Sequence, residues 1–336
     1  MTSQPYIAFT SKVCAASIAL TAALGCHTSV KGRESPHGSA RPLAAGREPM
    51  RVPSGNVVLD GELLWPEAFS ADSIPIVILV HGSGRIDRDG NGPGLSCDSY
   101  KLIALGLASR GIASFRYDKR GFGRSDPDIP PEARTLDRLV DDVVAIVARL
   151  RQHPRAGRIT LLGHSEGSDV VLLATPRARP DALILAGGSG RPLVDVLRTQ
   201  LAAQVDESTL RAFERLIVEL RAGRALDDVP AALEPLFRER SIPWLRSSLD
   251  EDPTKAASAV HVPVLVVRGE YDAQVGSEDT ARLKAAIPHA RIVGVPRANH
   301  LFKLESSIAF PQKSYDDPSI RLAPEAIGTI ALGVAR

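Results

Sequence analysis

From Ile74 onward the chain alternates between two patterns of apolar positions. Runs too continuous for half-exposed strands, at Ile74 to Val80, Ile112 to Tyr117, Ile159 to Leu162, Ala182 to Ala186, Val262 to Val267 and Arg291 to Val295, each predict a strand buried on both faces. Between them, apolar residues at helical spacing predict helices over Tyr100 to Arg110, Thr135 to Leu150, Ser168 to Ala174, Ser277 to Ile287 and Pro324 to Val334. Strand and helix in alternation imply a mainly parallel sheet flanked by helices, an α/β fold. Ahead of this region, Val57 to Leu59 and Glu62 to Trp65 flank Asp60-Gly61, which predicts a hairpin turning at that pair.

Two stretches depart from the rhythm. Residues 191–260 carry helical patterns such as LVDVLRTQLAAQ and LRAFERLIVELRAG without a convincing strand, so they form an insertion. Its place after the strand at Ala182 to Ala186 puts it above the carboxyl ends of the strands, where open α/β sheets bind ligands. At the other end, Val13 to Gly25 is apolar, follows Lys12, and is too short to span a bilayer, which reads as an export signal. It ends at Ala23-Leu24-Gly25-Cys26, which resembles the lipobox of bacterial lipoproteins, where cleavage leaves a lipidated cysteine. The expected organisation is therefore a signal over residues 1–26, a Gly/Pro/Ser/Arg-rich flexible tether over 27–50, and a domain over 51–336 with a helical cap at about 191–260. The expected location is outside the cytoplasm, anchored through Cys26 at the periplasmic or cell surface, with plain secretion as the alternative.

Composition narrows the function by exclusion. The 41 basic and 39 acidic residues give a net charge of +2, so there is no basic stripe for nucleic acid and no strong field for acidic partners. With Cys14 removed and Cys26 acylated, Cys97 alone remains in the domain and no disulfide can form within one chain. Function has to come from a local site on a core large enough to be stable without staples.

That site is suggested by Gly163-His164-Ser165-Glu166-Gly167, a G-x-S-x-G pentapeptide between a buried strand and a helix. A serine hydroxyl is a weak nucleophile near neutral pH; it needs a base, and a carboxylate behind the base to fix its tautomer. Downstream, Asp272 follows one predicted strand and His300 the next, in the order serine, acid, histidine. Glu270 is the alternative acid, but it leaves its strand sooner. His261 and His289 lie at strand entries, the wrong end of the sheet, and His153 lies near a helix end before a proline. Acyl transfer also needs donors for the developing oxyanion, and His81-Gly82-Ser83-Gly84 after the first long strand is placed to supply one. The expected pair is the backbone N–H of Ser83, with Gly84 as its alternative, and the backbone N–H of Glu166, whose amide matters here more than its acid. His81 and His164 are expected to support these turns. Asp87-Arg88-Asp89-Gly90-Asn91-Gly92, with Asp98 at the twelfth position, matches the opening of a calcium loop in part, but Pro93 and the missing preceding helix break the pattern. It serves equally as a polar lip, and no metal is assigned.

With these residues in view, the chain resembles the α/β-hydrolase superfamily. The set HGSGRIDRDGNG, FRYDKRGFGRSD, GHSEG, GEYD and NHLF is similar to bacterial carboxylesterases of the EstD-like, serine aminopeptidase-domain group. The resemblance implies an α/β-hydrolase fold, Ser165, Asp272 and His300 as triad, residues 191–260 as cap, and Asp118 and Arg120 as a structural ion pair or turn. The leading expectation is a cofactor-free serine hydrolase of small carboxylic esters. Alternatives are a peptidase of short peptides, with cap carboxylates such as Glu219 and Asp227 catching the amino end, and a tethered binding protein that has lost the chemistry.

Overall fold

The computed structural model describes residues 46–66, 73–126, 128–309 and 313–335. Cys26, the signal and most of the tether lie outside the described residues. The strands are β1 (Arg47–Ser54), β2 (Val57–Leu64), β3 (Ile74–Val80), β4 (Ala113–Tyr117), β5 (Ala156–His164), β6 (Ala182–Ala186), β7 (Val264–Gly269) and β8 (Arg291–Val295). They form one sheet in the order β1-β2-β4-β3-β5-β6-β7-β8. β1, β2 and β4 pair antiparallel in turn, and the rest are parallel. The helices are α1 (Ser99–Ala108), α2 (Leu136–Arg151), α3 (Glu166–Ala178), α4 (Leu193–Ala202), α5 (Glu207–Arg221), α6 (Ile242–Ser248), α7 (Pro253–Ser258), α8 (Ser277–Ala286) and α9 (Ala326–Ala331).

The continuous apolar runs have a direct cause, because alternate residues of each central strand feed different cores. Ile76, Ile78 and Val80 of β3 join Leu161, Leu185 and Val266 under α2, α3 and α8. Val77 and Leu79 join Leu162, Ile184 and Val267 on the opposite face, under α1 and α9. β8 is the exception: as the sheet edge it exposes most of its residues, against the expectation of burial on both faces. A short edge strand bearing Arg291 discourages pairing with another chain.

The hairpin exists, but not where its sequence signal lies. β2 runs unbroken through Asp60-Gly61 and pairs with β1, and the turn is Gly55-Asn56, with Gly55 at φ +61°. Gly61 is needed for a different reason: a Cβ there would stand 2.2 Å from the Phe115 ring on neighbouring β4. Asp60 is held by Arg88. β1 also takes up Arg47–Met50, which the sequence pattern assigns to the tether.

The insertion is helical and has its own apolar cluster, running from Val194 through Phe213, Leu216 and Leu236 to Leu249. The Val194 N–H bonds the Leu249 carbonyl at 3.0 Å and closes it as a unit. α7 contributes Ala257 to the main core instead, so this cluster ends before residue 260. Among the described residues, no helix is long and apolar enough to cross a membrane.

Candidate active site

The strand-to-helix turn between β5 and α3 holds Ser165 at φ 54°, ψ −124°, a region that non-glycine residues rarely occupy and that must be imposed by the surroundings. The flanking glycines impose it. A Cβ on Gly163 would lie 2.2 Å from the Gly167 carbonyl oxygen, and one on Gly167 would lie 2.0 Å from the Val80 carbonyl oxygen. Backbone occupies both spaces, so the turn closes only with glycine on each side of the serine. Glu166 is the first residue of α3, and its N–H is among the first-turn donors that have no carbonyl within the helix. The loop after β3 comes against this turn: a Cβ on Gly82 would meet the Ser165 Cβ at 3.1 Å. Ser83 lines the same cavity as Ser165.

Past β7 and β8, Asp272 and His300 meet with His300 Nδ1 at 2.8 Å from Asp272 Oδ2, the two side chains 4% exposed or less. The other carboxylate oxygen accepts from the Gln274 and Val275 N–H groups at 2.8 and 3.0 Å. Burial pushes the Asp272 carboxyl up, but the charge and hydrogen bond of His300 and these two amides outweigh it and hold the acid below its ordinary range. An ionised acceptor at Nδ1 keeps the proton there and leaves Nε2 free to act as a base. Gly187, after β6, lies beneath the pair; a Cβ there would sit 3.2 Å from the His300 ring. Both His300 and Ser165 line the cavity under the insertion.

His164 completes a chain of bonds across the site. Its Nε2 lies 2.8 Å from the His300 carbonyl, which can only accept, so Nε2 carries the proton and Nδ1 accepts from the Tyr100 hydroxyl at 2.8 Å. That hydroxyl in turn accepts from the Gly82 N–H at 3.1 Å. Burial, then the nearby His300 charge, lowers the His164 pKa to about 3, in keeping with a neutral ring. His81 is also buried and pushed down, first by burial and next by Lys119; its Nδ1 faces the Gly82 carbonyl.

Glu166 does more than the sequence implies. Its Oε2 accepts from Lys119 Nζ at 2.6 Å, and Lys119 also donates to the Gly82 carbonyl at 3.0 Å. Its other oxygen accepts from the Trp244 indole of α6. One buried carboxylate therefore joins the serine turn, the loop after β3 and the insertion. No sequence signal marks this, because Lys119 and Trp244 lie on separate elements far from Glu166 in the chain.

Other expectations fall elsewhere. Asp118 pairs with Arg88 and Arg120 with Asp142 of α2, so they support the scaffold through different partners and do not pair with each other. In the Asp87 to Asp98 loop, Asp87 accepts from the Asp89 and Asn91 N–H groups, Asp89 meets Arg116, and Asp98 accepts from Asn91. Protein donors thus occupy Asp87 and Asp98, and Asp89 stands opposite the Arg116 charge. Neither Glu219, which pairs with Arg224, nor Asp227 is among the cavity-lining residues. His261 and His289 are exposed, and the His153 ring packs at a tilt against Trp65.

The serine aminopeptidase S33 family model matches residues 75–307. The chain is 30% identical to the esterase EstD of Thermotoga maritima over 66% of its own length and 52% of that protein, so it spans about half of this curated relative. In structure it is similar to Est1E from Butyrivibrio proteoclasticus, solved with ferulic acid, at a TM-score of 0.54 and 19% identity, covering 84% of this chain and 96% of that one. It is also similar to a thermophilic esterase from Thermogutta terrifontis, at a TM-score of 0.52 and 21% identity, covering 85% and 96%. The chain belongs to the serine aminopeptidase S33 family and has the α/β-hydrolase fold.

Proposed function

We propose that this member of the S33 family is a serine hydrolase of small carboxylic esters, working through an acyl-enzyme. The observation that carries the reading is the buried Asp272–His300 pair opening onto the same cavity as a serine held in a strained turn. His300 Nε2 takes the Ser165 proton as the hydroxyl oxygen attacks the acyl carbon, and the tetrahedral oxyanion is met by the Ser83 and Glu166 N–H groups. The protonated His300 then donates to the departing alcohol, and water, activated by the same nitrogen, releases the acid. Each step uses the chain's own side chains and amides, and none requires a cofactor.

Replacing Ser165 by Ala is expected to lower kcat on short p-nitrophenyl esters by on the order of 10⁴-fold or more with the melting temperature retained. Unchanged turnover in that variant overturns the reading, and failure of the wild type to react with a fluorophosphonate probe revives the binding-protein alternative. The EstD match supports esters as the substrate class, and a direct comparison of an acyl ester with an aminoacyl amide separates esterase from peptidase. The reading includes export with acylation of Cys26, supported by the sequence of residues 13–26. Membrane fractionation of wild type against Cys26→Ser checks it, with wild type expected in the membrane and the variant outside it.

A further inference from the structure

Two carboxyl groups stand one turn apart on α3, and they are treated differently. Glu166 has both oxygens bonded, to Lys119 and to Trp244. Asp169, on the same helix face three residues later, lines the cavity with Oδ1 shut off from water and without a hydrogen-bond partner. Across the seam the pattern repeats on α6. Trp244 is bonded, while Ser248, four residues later on the same face and 6% exposed, lines the same cavity with an Oγ that has no partner. The Glu166–Trp244 bond ties the two helices together, and Asp169 and Ser248 both line the cavity that Ser165 and His300 also line.

Buried polar atoms in native proteins are nearly always hydrogen-bonded. Two unbonded ones lining a single cavity, one from the body and one from the insertion, point to a bond made by what enters the cavity. The charged groups acting on Asp169 are Glu166 and Glu251, both acidic, and no cation compensates it. Burial first, then these two acids, push its carboxyl well above the ordinary range, which favours the protonated form, a hydrogen-bond donor. Ser248 adds a hydroxyl that donates or accepts. Such a pair matches a neutral oxygen and disfavours a purely hydrocarbon group, which leaves both polar atoms unsatisfied.

We propose that Asp169 and Ser248 form a specificity subsite, and that the preferred ester carries a neutral carbonyl, ether or hydroxyl oxygen beyond the scissile bond. This rests on the ester-hydrolysis reading above. Neither residue touches the reacting atoms; they select and position the substrate.

The test compares matched esters. On the acyl side, p-nitrophenyl levulinate, a ketone, is set against the near-isosteric p-nitrophenyl isocaproate; on the alcohol side, methoxyethyl acetate is set against butyl acetate. In the wild type, kcat/KM is expected to favour the oxygenated member of at least one pair by roughly tenfold, about one hydrogen bond's worth of discrimination. The preference is expected to vanish in Asp169→Leu, to shrink several-fold in Ser248→Ala, and to survive largely in Asp169→Asn, whose amide still donates. Because the readout is a ratio within one protein, a variant of reduced stability still reports, and Ser248→Ala reports should Asp169→Leu not fold. A wild-type ratio near one in both pairs overturns the proposal, as does a ratio unchanged by Asp169→Leu. Preference for an aminoacyl ester that is lost in Asp169→Asn also overturns it, since that marks an ionised carboxylate holding an ammonium. Failure of the ester reading looks different: no hydrolysis of either member of a pair, or hydrolysis that persists in Ser165→Ala.

Discussion

Around Ser165 the chain is held in place by its backbone. The Val80 carbonyl fills the space beside Gly167, the Gly167 carbonyl fills the space beside Gly163, and the serine takes a φ of 54° because neither neighbour can move. Over the serine, the insertion from α4 to α6 is held by side chains: its own cluster around Phe213 and Leu216, the bond from Trp244 to Glu166, and the Ser247 hydroxyl accepting from the Leu136 N–H at 2.9 Å. The first region tolerates almost no change of shape. The second reaches the body through a few side-chain contacts, so the serine turn is fixed more tightly than the wall above it.

The sharpest way to break this contrast is Gly167→Ala. The added methyl group meets a backbone carbonyl with no room to yield, so a loss of more than about 3 kcal/mol is expected, read as a large fall in melting temperature or failure to fold. Gly328→Ala is the control, because its Cβ would enter open space within α9; it is expected to stabilise by roughly 0.5–1 kcal/mol. Lys119→Met comes next. It leaves the Glu166 carboxylate buried without its cation and takes one of two partners from the Gly82 carbonyl, at an expected cost of about 3 kcal/mol in urea unfolding together with a fall in kcat. Trp244→Phe keeps an aromatic ring, smaller than the indole, and removes one bond to that carboxylate. A loss of about 1–2 kcal/mol is expected, with KM raised and kcat largely kept, if the insertion shapes binding and leaves the chemistry alone. An equal fall in kcat would show that the two regions are not separable.

A further effect is in pH. The folded His164 value of about 3 lies below the 6.5 of an ordinary histidine. Between those values the unfolded chain binds the proton more readily, so stability is complete above pH 6.5 and declines as the pH falls below it. His164→Gln, which cannot charge, is expected to flatten this decline in denaturant melts at pH 7 and pH 5. Part of the slope should persist, because His81 is also held neutral by burial.

The same contrast explains what the sequence made legible. The parallel strands could be read because β3, β5, β6 and β7 are buried on both faces, and Ser165, Asp272 and His300 could be nominated because each follows a strand in the order the chemistry requires. β8 ends in the right place but misleads about burial, since nothing in five residues says that no further strand pairs with it. Asp60-Gly61 has the composition of a turn, yet its glycine answers to Phe115 on a neighbouring strand, a contact that no local rule contains. The paired role of Glu166, the separate partners of Asp118 and Arg120, and the unbonded Oδ1 of Asp169 all depend on which distant side chain arrives. Composition and period carry no such information.

The position after Ser165 also constrains how this chain can change. Lys119, Glu166 and Trp244 share one carboxylate, so an exchange at any of them takes a bond from another. Losing the lysine leaves a charge without its counter-ion, losing the glutamate leaves a buried ammonium, and losing the tryptophan removes one of the bonds that tie α6 to the body. The three positions form a single unit of variation that spans the serine turn, the scaffold loop and the insertion. A redesign of the insertion has to carry this unit along or replace all three together.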